Sequence, residues 1–175
     1  MASRRKTSNA SRVSKVRKQG PLVAILTGSP SDLEKVKKAE QVLHKLKIPC
    51  EVKVLSAHRT PDRVVGYVKG AAGRGIEVLI GCAGLANHLA GAIAAHTTLP
   101  VIGVPLSGGS LQGLDALLST VQMPPGVPVA TVAVDGTANA AHLAARMVAL
   151  AHPEITARIE SDRREQQKRY DEWKS

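Results

Sequence analysis

The chain has 175 residues, 43% of them hydrophobic, which fits one ordinary globular domain with room for a sizeable core and some extra at the ends. It contains no Phe, one Trp and two Tyr, so the aromatic platforms on which bases stack are nearly missing and a single-strand- or RNA-binding module is disfavoured. The net charge of +10 is uneven: residues 1–20 hold seven Arg and Lys and no acid, leaving 17 basic against 14 acidic side chains in the rest.

Residues 1–20 therefore read as a Ser- and Arg-rich arm, expected to be disordered, with a nucleic-acid contact or a targeting role as lesser alternatives. Residues 21–152 read as the domain and 153–175 as an appended helix. Cys50 and Cys82 do not make a secreted disulfide framework. No run approaches the roughly 18 apolar residues of a membrane span, and no signal-peptide core is evident. A cytoplasmic location and no membrane partner are the expectation.

In chain order, Leu22–Thr27 is a continuous apolar run, the pattern of a strand buried on both faces. GSPSD follows, then a helix to Leu46 with Asp32 expected at its N-cap. Cys50–Leu55 reads as the second strand. Residues Asp62–Ala72 read as a helix with Pro61 in its first turn. Glu77–Cys82 is the third strand, followed by a small-residue helix in AGLANHLAGAIAAHTT. Pro100–Pro105 is the fourth, followed by a glycine loop and a helix from about Leu111. Pro128–Val134 is the fifth, followed by an Ala-rich helix. After Pro153 comes a helix with six acids and six bases, expected to bury little against its own domain and to lie across a neighbouring subunit or fray. Strands alternating with helices predict an α/β fold with a central parallel sheet and helices on both faces.

Ligands of such sheets bind beyond the carboxyl ends of the strands. The residues just past those ends are Gly28, Ser29, Ser31 and Asp32; then Ser56, His58 and Arg59; then Ala83, Gly84, Asn87 and His88; then a loop, SGGSLQG, suited to closing over a ligand. GSPSD is either a phosphate cradle at a helix start or a plain capping loop. Arg59 either clamps a phosphate bidentately or pairs with Asp32 or Asp62 on the surface. His58 is the candidate proton carrier, since imidazole both donates and accepts near neutral pH. A second histidine, His88, one strand away favours a site over two structural histidines and is the second catalytic candidate. His58 and His88 lack metal-ligand spacing, the two Cys lie far apart, and no G-x-S-x-G elbow occurs, so neither a metal site nor a serine triad is expected.

The motifs GSPSD, SAHRTPD, AGLANHLAG with TTLPVIGVP, and GLDALLSTVQMPPGVPVATVAV with ANAA together resemble the PurE family, class I, the N5-carboxyaminoimidazole ribonucleotide mutases of purine biosynthesis, in the same order over about Val23 to Leu150. The resemblance implies a flavodoxin-like three-layer α/β/α sandwich, an octamer with a C-terminal helix that helps assembly, and a small ribonucleotide substrate handled without metal or cofactor. It carries substrate binding to Ser29, Asp32 and Arg59, further phosphate and ribose contacts to Ser31 and Ser56, and catalysis to His58. It places Gly84, His88 and Leu89 in the loop that holds the imidazole and carboxylate. The family's common AGGAAHLPG reads AGLANHLAG here, with Leu85, Asn87 and Ala90 as departures. Class II relatives, which carboxylate aminoimidazole ribonucleotide with free carbon dioxide, place an asparagine in a similar loop. That carboxylase, and a non-catalytic phospho-ligand-binding module, are the alternative readings.

Overall fold

The computed structural model describes residues 20–173; the basic arm expected over residues 1–20 lies, but for Gly20, outside the described residues. Five strands, β1 (Val23–Thr27), β2 (Cys50–Val54), β3 (Val78–Gly84), β4 (Val101–Leu106) and β5 (Ala130–Thr131), form one parallel sheet in the order β2-β1-β3-β4-β5. Helices α1 (Leu33–Lys45), α2 (Pro61–Lys69), α3 (Leu89–Ala94), α4 (Leu114–Val121) and α5 (Thr137–Ala149) follow the strands in turn, and α6 (Pro153–Trp173) closes the chain. This is the parallel α/β arrangement that the alternation predicts, in the flavodoxin-like form that the resemblance implies.

The layers follow from side-chain alternation. Val23, Ile25, Ile80, Cys82, Ile102 and Val104 face α1 and α5, where Val36, Leu43, Ala141 and Ala145 are buried. Ala24, Leu26, Leu79 and Val101 face α2 and α3, where Val64, Val68, Leu89 and Ile93 are buried. At Gly81 an added Cβ would sit 3.0 Å from Ala90 Cα, so a glycine there lets α3 rest directly on the sheet. That close approach sets where the loop before α3 can lie.

Asp32 stands at the N-cap of α1, as expected, but makes no side-chain cap bond; Ser29 caps a 3₁₀ turn over Pro30–Asp32, its Oγ accepting from the Ser31 amide at 3.3 Å. Three local expectations are corrected. Helix α4 begins at Leu114 rather than Leu111, because Gln112 (φ 49°) and Gly113 (φ 92°) are left-handed. The ladder of β5 shortens to Ala130–Thr131 at the sheet edge, where its neighbour β4 offers no amide at Pro105. Helix α6 is anchored along its first half on its own domain. Ile155 is buried, Arg158 Nη1 donates to the carbonyls of Leu46 (3.3 Å) and Lys47 (3.1 Å), and Lys45 pairs with Asp162 at 2.6 Å. Its last turns leave Tyr170 and Trp173 exposed.

Candidate active site

The carboxyl ends of β1, β2, β3 and β4 open onto one cleft of about 660 Å³. Nine candidate substrate-binding and catalytic residues from the sequence line it: Ser29, Ser31 and Asp32 from the first loop, Ser56, His58 and Arg59 from the second, and Gly84, His88 and Leu89 from the third; Asn87, also past β3, does not. Ser107, Gly108 and Gly109 from the glycine loop after β4 form a fourth wall. The parallel sheet explains the convergence. Its strands all point the same way, so every loop that leaves a strand end arrives at the same edge.

The first two loops are tied by Arg59. Its guanidinium donates to the Gly28 carbonyl at 2.8 Å and to Ser56 Oγ at 3.3 Å, and Ser56 Oγ also accepts from the Arg59 amide at 3.2 Å. Among the described residues it makes no ion pair with Asp32 or Asp62, so the surface-pair reading is corrected. A guanidinium has five donors, more than these two bonds use, and Arg59 lines the cleft together with Ser29 and Ser31. The two serine hydroxyls are themselves 2.8 Å apart. Asp32 accepts weakly from Thr27 Oγ1 at 3.4 Å, so its carboxylate keeps most of its acceptor capacity. Two hydroxyls, an arginine and a free carboxylate suit a phosphate with a ribose next to it.

His58 and His88 touch. Nε2 of His58 lies 2.8 Å from Nδ1 of His88, with the rings edge to face at 84°. One of these nitrogens donates and the other accepts, so the pair shares a single proton along that line. Which ring donates depends on the tautomer, so either imidazole can present a donor or an acceptor to the other.

The third loop is held from beneath by one of the polar residues past β3, which is also a departure from the family's loop. Asn87 is fully buried. Its amide donates to Ser119 Oγ at 3.0 Å, and its Nδ2 donates to the Val104 carbonyl at 3.3 Å and to Thr120 Oγ1 at 2.8 Å. Thr120 in turn donates to the Ala116 carbonyl, which leaves its oxygen free to accept from Asn87. The Oδ1 atom of Asn87 has no partner among the described residues. Leu85, beside it, adopts φ 55°, and its side chain packs toward Gly109 of the fourth wall.

Sequence reasoning missed Lys35, Asp135 and Asn87's buttressing role, since each acts through residues distant in the chain. It also missed that Glu40, His44 and Cys50 converge within 4.8 Å. That group lies at the amino end of β2, away from the cleft. Burial and then the Glu40 carboxylate push the Cys50 thiol up to about 11, so it stays protonated at neutral pH. No helix among the described residues is long and apolar enough to cross a membrane.

The family model described as AIR carboxylase matches residues 22–169. The chain is 51% identical to the N5-carboxyaminoimidazole ribonucleotide mutase of Pyrococcus horikoshii, over 82% of this chain and 81% of that protein. It is 52% identical to the phosphoribosylaminoimidazole carboxylase of Schizosaccharomyces pombe over 82% of this chain, but spans only 26% of that longer protein. Among solved structures it is similar to Treponema denticola PurE, with a TM-score of 0.79, 32% identity, and 87% and 95% of the two chains covered.

Proposed function

The chain belongs to the AIR carboxylase family, and from that premise we propose that it is an N5-carboxyaminoimidazole ribonucleotide mutase, moving a carboxyl group from the exocyclic nitrogen to a carbon of the aminoimidazole ring. The observation that carries this reading is the single cleft in which a cationic, hydroxyl-lined anion site adjoins a proton-sharing histidine pair.

Ser29, Ser31 and Arg59 bind the phosphate, and Asp32 and Ser56 orient the ribose. Gly84, Leu89 and His88 enclose the imidazole and the carboxyl unit. The reaction needs one mobile proton. When the N–C bond breaks, its electrons stay on nitrogen, which gains a proton, and carbon dioxide is set free. The ring carbon then attacks the carbon dioxide, and the tetrahedral carbon so formed loses a proton. Protonated His58 supplies the first proton and neutral His58 takes the second, so the imidazole ends as it began. Holding the gas beside the ring supplies a high effective concentration. The chain itself provides every group these steps require.

The enzyme works in the cytoplasm as a homo-octamer. In support of assembly, Leu111, Leu114, Leu118 and Val121 stand exposed along α4 and the loop before it, next to the site, where a second copy would cover them. A second reading is the carboxylase that draws on free carbon dioxide; the Schizosaccharomyces pombe relative is named a carboxylase. One assay separates the two. Purified protein given the N-carboxylated nucleotide should form ring-carboxylated product far faster than protein given aminoimidazole ribonucleotide with bicarbonate. The opposite order would establish the carboxylase.

A further inference from the structure

Lys35, in the first turn of α1, points its ammonium at the loop after β4. It donates to the Ser107 carbonyl at 2.7 Å, to Ser107 Oγ at 2.6 Å and to Asp135 Oδ1 at 3.1 Å. An ammonium has three donors, so all are spent. The Ser107 amide closes the arrangement by donating to Asp135 Oδ1 at 2.9 Å, and Thr137 Oγ1 donates to the Lys35 carbonyl at 3.0 Å. One side chain thus joins the segments that follow β1, β4 and β5.

The joined point is the root of the fourth wall. Ser107 is the first residue beyond β4, and the chain then runs through Gly108 and through Gly109, Gln112 and Gly113, the last three with left-handed backbones. Beyond its internal turn, the loop also meets the site at Leu85, whose Cδ2 would lie 2.7 Å from a Cβ added at Gly109. Asp135 itself sits at φ 56°, a conformation that costs a non-glycine residue free energy and persists where its surroundings require it. Burial pushes its carboxyl up, but the Ser107 hydroxyl and amide and the Lys35 ammonium outweigh this and hold it below the usual carboxylate range. The Lys35 and Asp135 side chains are 36% and 42% exposed, so solvent screens the pair and it adds little to global stability. What it fixes is position.

We propose that Lys35 and Asp135 are positioning residues that hold Ser107–Gly109 as the wall retaining carbon dioxide beside the ring until it is recaptured. This rests on the mutase reading. Carbon dioxide carries no charge for Arg59 or the histidines to grip, so only a closed boundary keeps it in place. A slack root opens that boundary while leaving the phosphate contacts of Ser29, Ser31 and Arg59 intact.

The test is turnover of the N-carboxylated nucleotide in buffer containing ¹³C-bicarbonate, with an enzyme-free control for spontaneous decay. The readouts are the ratio of decarboxylated nucleotide to ring-carboxylated product and the fraction of product carrying label. For Lys35→Met, which keeps the stem and removes the ammonium, both should rise about tenfold over the native full-length chain, a typical cost of slackened positioning. The kcat should fall while KM stays within about twofold. Asp135→Asn should behave alike, the double variant should leak no more than either single one, and Lys35→Arg should recover most of the native ratio. A lowered melting temperature with native leak and labelling in both single variants would overturn the proposal. If the native chain makes no ring-carboxylated product from this substrate, the mutase reading fails instead, and this inference with it.

Discussion

The two ends of the sheet are built differently. At the amino ends of the strands the chain is stapled. Lys45 grips Asp162 at 2.6 Å and Glu165 at 2.8 Å, Arg158 holds the turn at Leu46 and Lys47, and His152 meets Glu77 at 2.7 Å just before β3. At the carboxyl ends the chain is open and strained. Three of the four non-glycine residues with positive φ among the described residues, Leu85, Gln112 and Asp135, lie there, against Lys47 alone at the other end. Each such residue costs roughly 1–2 kcal/mol. His58, His88, Arg59 and Ser31 also collect there, exposed, with Ser29 half-buried beside them. One end spends conformational strain to shape a cleft, and the other fastens the domain. Changes at the open end should alter activity with little loss of stability, and changes at the stapled end should do the reverse.

The largest effect is expected at His58. His58→Asn removes the proton carrier, and turnover should fall by about 10²–10⁴-fold while product binding, followed by calorimetry, persists. Arg59→Ala should raise KM by about ten- to a hundredfold with a smaller change in kcat, the scale of one or two charge-assisted hydrogen bonds. An unchanged KM would take Arg59 out of the phosphate site. Asn87→Ala removes two hydrogen bonds but also the unpartnered Oδ1, so the net loss should be about 1–2 kcal/mol, read as a melting temperature lowered by a few degrees.

At the stapled end, burial pushes the Asp162 carboxyl up, but hydrogen bonding and charge from Lys45, with Gln166, hold it below its ordinary value of 3.8. A depressed folded value means its stabilisation is present above that ordinary value and is lost as pH falls through the lower, folded one. Lys45→Met should therefore flatten the acid limb of the stability profile and leave turnover at neutral pH unchanged. The smallest effect is expected for Leu85→Gly. Relief of the left-handed backbone and loss of packing on Gly109 oppose each other, so stability should change by less than about 1 kcal/mol.

Much of this organisation was legible in the sequence. Apolar runs such as Leu22–Thr27 and the helical spacing of Val36 and Leu43 are local periodicities, and they specify a parallel sheet. Once strand direction is known, Ser29, His58, Arg59 and His88 must share an edge. Contacts between distant positions were not legible. Lys35 meets Ser107 and Asp135 across 72 and 100 positions, and in α1 it looks like any surface lysine. The mixed charges of α6 read as a solvated face, although Ile155, Arg158, Asp162 and Glu165 recur at helical spacing toward Lys45 and Lys47. Asp32 has the chemistry of a cap, but Ser29 caps the turn three residues earlier and leaves the carboxylate to the cleft.

The most direct measurement is a crystal structure of the chain with ring-carboxylated nucleotide bound. The account predicts phosphate oxygens accepting from Ser29, Ser31 and Arg59, the ring carbon facing the imidazole of His58, and the carboxylate enclosed by the loop from Gly84 to Leu89 under the wall at Ser107–Gly109. A nucleotide seated outside this cleft, or with its ring turned away from His58, would contradict it.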